Sequence, residues 1–77
     1  MDETQIEFLK MENTRQIMLM TIRATAETRA IKRAAFLKAS PELLTNEQWL
    51  GIVADYHDAN ARWEQAEDAY IAFVRIH

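Results

Sequence analysis

Catalysis needs a nucleophile, a base or a bound metal at workable spacing, and this chain has few residues that could supply one. It contains no cysteine, so thiol chemistry, disulfides and cysteine–zinc sites are excluded. Ser40, the one serine, stands directly before Pro41 and reads as a helix boundary. His57 and His77 are the only imidazoles, and His57, with Glu64 one heptad away, is expected to face solvent. The Glu-x-x-His and His-Glu-x-x-His spacings that build metal sites on helices do not occur, and there is no Gly-rich phosphate loop. Glu64, Glu67 and Asp68 cluster in sequence, as a solvated helix face does. No catalytic residue, metal, cofactor or small-molecule substrate is expected.

Arginine offers a second chemistry. Arg15, Arg29 and Arg33 share one helical face, with Arg23 and Lys32 beside it, and such a cluster is the electrostatic footprint of a nucleic-acid binder. Two observations oppose that reading. The net charge is −3, and the same face carries Phe8, Met11, Met18, Ile22 and Phe36, which favour burial. Nucleic acid is therefore a disfavoured partner, and a DNA-linked transcriptional regulator is kept as an alternative.

The elements that position these residues are helices. One Gly and one Pro in 77 residues, with abundant Ala, Glu, Arg, Met and Leu, is a helix-former's composition. In the C-terminal half Trp49, Tyr56, Trp63, Tyr70 and His77 recur every seven residues, with Ile52, Ala59, Ala66 and Phe73 three further on. That is the a/d seam of a coiled coil, with large rings alternating with small residues.

In the N-terminal half one face collects Ile6, Leu9, Asn13, Ile17, Met20, Ala24, Ile31 and Ala35. This stripe is expected to pack on the aromatic column, so that Ile6, Leu9, Ile17, Met20, Ala24 and Ile31 form the hairpin core with Trp49, Ile52, Tyr56, Ala59, Trp63, Ala66, Tyr70 and Phe73. The opposite face, Phe8, Met11, Arg15, Met18, Ile22, Arg29, Arg33 and Phe36, is then left over. Methionine, aromatic residues and arginine are enriched at protein interfaces, so this face is the expected dimer or partner site.

The break between the halves is Ser40-Pro41, followed by Leu43 and Leu44 as an expected hydrophobic lid. Thr45-Asn46-Glu47-Gln48 then has the form of a capping box. The expected fold is all-α: helix 1 from about residue 3 to 39, a turn over 40–45, and helix 2 from about 46 to 76, antiparallel in a single helical-hairpin domain. Gly51 is expected either to permit a close helix crossing or to sit where the helix is already held. An acidic start and the lack of a long apolar run point to a soluble, cytoplasmic chain with no membrane partner.

Trp49-Leu50-Gly51 resembles the Trp-x-Gly of the WXG-type secreted helical hairpins. That family places the motif in the turn, whereas the capping box puts it inside helix 2 here. Its C-terminal Tyr-x-x-x-Asp/Glu signal is also missing, since Tyr56 is followed at that spacing by Asn60 and Tyr70 by Val74. A secreted hairpin is accordingly a second alternative. The expected function is that of a non-enzymatic, homodimeric interaction module, an adaptor or inhibitor of another protein, with two chains forming a four-helix assembly.

Overall fold

A computed structural model describes residues 2–76; His77, the last member of the ring column, lies outside them. Helix α1 spans Glu3–Lys38, a single 3-10 turn spans Pro41–Leu43, and helix α2 spans Asn46–Ile76. The helices return along one another as an antiparallel hairpin measuring 64 × 17 × 15 Å.

Both helices start on capping boxes. The backbone N–H of Gln5 donates to Asp2 Oδ1 at 2.8 Å, while the Gln5 side chain accepts from the Asp2 N–H at 3.3 Å. At α2 the N–H of Gln48 donates to Thr45 Oγ1 at 3.1 Å and Gln48 Oε1 accepts from the Thr45 N–H at 3.0 Å. Each pair satisfies two donors that have no partner inside the helix. The Thr45 box is legible as Thr-x-x-Gln. The Asp2 box uses an acidic cap outside the Ser/Thr pattern, so in the sequence Asp2 stands out only as part of an acidic start.

Pro41 ends α1 by forcing Ser40 into extended backbone, with φ −110° and ψ 101°. The 3-10 turn then closes through Leu43 N–H to Ser40 O at 2.9 Å and Leu44 N–H to Pro41 O at 3.2 Å. Leu44 is half-buried over the end of the hairpin, whereas Leu43 is 81% exposed, so one leucine and not two forms the lid. Successive turn residues cannot both point inward.

A two-helix hairpin has a seam but little interior. Ala59 is the one fully buried residue among those described, and the other seam residues are half-buried. The chain exposes 6211 Å² at a mass of 9.0 kDa, whereas a globular monomer of that mass exposes about 4,900 Å². Its radius of gyration is 18.2 Å against about 11.5 Å for a globular chain of the same length.

Candidate interaction surface

The side of α1 that meets α2 repeats every three and four residues through Met11, Arg15, Met18, Ile22, Thr25, Arg29, Lys32 and Phe36, all half-buried. Trp49, Ile52, Tyr56, Ala59, Trp63, Ala66, Tyr70 and Phe73 form the α2 side. A strict 3-4 spacing on both helices is the 3.5-residue period of a left-handed coiled coil.

This reverses the expected roles of the two α1 faces. Met11, Arg15, Met18, Ile22, Arg29 and Phe36, expected to be free for a partner, lie in the hairpin seam. Phe8 remains 64% exposed at the open end, and Arg33 is exposed beside the seam. The expected core residues of α1 face water instead: Ile6 is 40% exposed, Leu9 51%, Ile17 55%, and Met20 and Ile31 both 68%, with Ala24 exposed among them.

The physical reason lies in what the α2 rings can accept. The guanidinium carbon of Arg29 sits 4.6 Å from the centre of the Trp63 ring, and its Nε donates to Asn60 Oδ1 at 2.6 Å. Asn60 in turn donates to Glu64 Oε1 at 3.2 Å. At the same face Phe36 packs between Trp49 and Tyr56, with ring centres 5.6 and 5.3 Å away. An arginine can bury its methylenes in such a seam while its charged head rests on a ring or reaches the rim. A purely aliphatic stripe would fill the space but leave the ring faces and the Asn60 amide without these partners.

Arg15 occupies the same seam, nearer the open end. Its pKa is raised above the ordinary guanidinium value, chiefly by a hydrogen bond and charge interaction with Tyr70, then by the carboxylate of Glu12, whose Oε1 lies 3.0 Å from Nη1. Lys32 Nζ approaches Asp55 Oδ2 at 3.7 Å across the helices. The cationic row of α1 therefore faces the acidic helix. With Arg15 and Arg29 turned into the seam and Arg33 outside it, the sequence cluster does not form one free basic surface.

Sequence reasoning passed over Thr25 and Asn60 and set Lys32 only beside the arginine face, outside the seam. The signal for Thr25 and Lys32 was the unbroken 3-4 spacing, which hydropathy alone hides because these positions are polar. Of the two expectations for Gly51 the close crossing does not hold: a Cβ placed there meets nothing within 4 Å, so it is an open position. Trp49-Leu50-Gly51 lies within the first turns of α2 and not in the connection.

Apart from Ile71 and Ile76, exposed singly on α2, the remaining large apolar side chains fall in three places. The stripe from Ile6 to Ile31 runs along the outside of α1. At the open end a groove of about 270 Å³ is lined by Phe8, Met11, Glu12, Arg15, Tyr70, Phe73 and Val74. At the closed end Leu37, Leu43 and Leu50 are exposed. Among the described residues no three His, Cys, Asp or Glu side chains are grouped to hold a metal ion, and no helix is long and apolar enough to cross a membrane. No known protein family, curated protein or solved structure matches the chain.

Proposed function

We propose that this chain is a non-enzymatic protein–protein interaction module: a helical hairpin that forms a homodimer and acts by binding another protein, as an adaptor or an inhibitor. The observation that carries the reading is the aliphatic stripe along α1, turned away from α2 and open to water. Contiguous exposed apolar surface of this extent marks association sites on soluble chains. A seam with one fully buried residue also leaves an isolated hairpin of this size marginal, a deficit that oligomerisation ordinarily makes good.

The stripe is the dimer surface in this reading. The open-end groove beside Phe8 and Val74 remains for a second protein, being distant from the middle of the stripe and lined on both helices. Light scattering coupled to size exclusion tests the dimer, which should be the main species at micromolar concentration; a stably folded monomer there overturns it. For the second protein, capture from the native cell extract should be lost on Val74→Glu at the groove while the dimer mass is retained. Equal capture by the wild type and Val74→Glu contradicts the assignment of the groove.

A further inference from the structure

The exposed face of α1 has a repeat of its own. Its members Ile6, Lys10, Asn13, Ile17, Met20, Ala24, Glu27 and Ile31 again follow a strict 3-4 spacing, so α1 carries two coiled-coil seams on opposite sides. We propose that the outer seam docks a second copy of this chain antiparallel to the first, about a two-fold axis that crosses α1 at the level between Met18 and Leu19. The inference rests on the reading of the chain as a dimer and adds its geometry.

Charge complementarity selects this register. In a two-fold contact, residue i of one copy meets j of the other and j meets i. Centring between Met18 and Leu19 sets Lys10 against Glu27 of the second copy, and by symmetry Glu27 against its Lys10. It also sets Ile17 against Met20 and Ile6 against Ile31, while Asn13 falls against the small Ala24. Lys10 and Glu27 are both exposed and form no ion pair among the described residues, so both can pair between copies.

The alternatives are worse. Shifting the pairing by one heptad in one direction brings Glu27 against Glu3 and Lys10 against Met20. Shifting in the other direction brings Glu27 against Ile17. A parallel, in-register pairing sets Lys10 on Lys10 and Glu27 on Glu27. Like charges directly opposed across an interface act against the wrong partner geometry.

The hairpin's elongated shape leaves surface for such a contact. A stable interface covers about 800 Å² per partner, and this chain exposes about 1,300 Å² more than a globular monomer of its mass. Because seam and stripe lie on opposite sides of α1, the four helices stand in a row, with the two α1 helices in the middle and an α2 outside each. Both acidic α2 helices are thereby kept apart.

Sedimentation equilibrium on the full chain tests the register. Lys10→Glu and Glu27→Lys should each raise the dimer dissociation constant about tenfold, since each turns two attractive pairs into two repulsive ones. The double variant, which restores opposite charge, should return to within about threefold of the wild type. Both positions are exposed, so circular dichroism should show unchanged helicity at concentrations where each variant is dimeric.

Cysteine cross-linking gives a second reading. Ile6→Cys combined with Ile31→Cys should oxidise to a covalent dimer, because the two positions lie about 37 Å apart along one helix and cannot bridge within it. Ile6→Cys alone should not cross-link. A wild-type dimer whose charge-swapped double variant stays as weak as the single ones, or that cross-links through Ile6→Cys alone, overturns the antiparallel register and leaves the association reading standing. A wild-type monomer at micromolar concentration overturns both.

Discussion

The two long faces of α1 differ in a way that runs against hydropathy. The face turned to α2 mixes Met11, Met18, Ile22 and Phe36 with Arg15, Thr25, Arg29 and Lys32, whereas the face turned to water is more continuously aliphatic. The outer face is itself interrupted by Lys10, Asn13 and Glu27, and what distinguishes the two is the partner available. The α2 seam presents indole and phenol rings and the Asn60 amide, and these recognise a guanidinium at 4.6 Å and 2.6 Å. Hydrophobic content marks surface that prefers cover, while specific complementarity decides which of two such surfaces receives it. In an amphipathic helix with two apolar tracks, the more apolar track is not necessarily the inner one.

The largest effect expected from this contrast comes from placing a charge on each face in turn. Met18→Glu puts a carboxylate in the hairpin seam and should cost about 2 kcal/mol or more, lowering the thermal midpoint at every protein concentration. Met20→Glu, two residues away on the outer face, should leave the midpoint in the dilute limit nearly unchanged but abolish its rise with concentration, the signature of association. If Met20→Glu lowers the dilute-limit midpoint as far as Met18→Glu does, the two faces are not distinct in the way described.

A smaller effect sharpens the account of the seam. Arg29→Lys keeps the charge but loses the planar fork that meets both Trp63 and Asn60, and should cost about 1 kcal/mol in denaturant unfolding. Arg33→Lys, exposed beside the seam, should change stability by less than about 0.5 kcal/mol. Equal costs at the two positions would show that the arginine–ring contact contributes nothing.

The smallest change is a gain. Gly51 faces open space on α2, so Gly51→Ala adds a methyl group without a clash and should stabilise by about 0.5–1 kcal/mol through helix propensity. For a domain of this size that corresponds to a rise of about 2–8 °C in the thermal midpoint. A loss of stability would mean that the outer side of α2 at residue 51 is covered in solution, and would extend the association surface beyond α1.

The sequence was sufficient for elements whose causes are local. Pro41 excludes helical backbone at Ser40, the Thr45 and Gln48 groups can reach one another only across one turn, and a chain so poor in glycine and proline has little but helix to form. The spacing from Trp49 to Phe73 likewise expresses a period that belongs to α2 alone. The choice of α1 face was not local. Two tracks with the same 3-4 spacing competed for one partner, and side-chain hydropathy put the face carrying Arg15 and Arg29 outside the hairpin, as a surface for a partner, because it counts their charge and not their methylene stems. That choice was settled only when Trp63, Asn60, Tyr70 and Tyr56 were brought opposite residues some twenty or more positions distant, where ring faces and amide geometry outweighed aliphatic area.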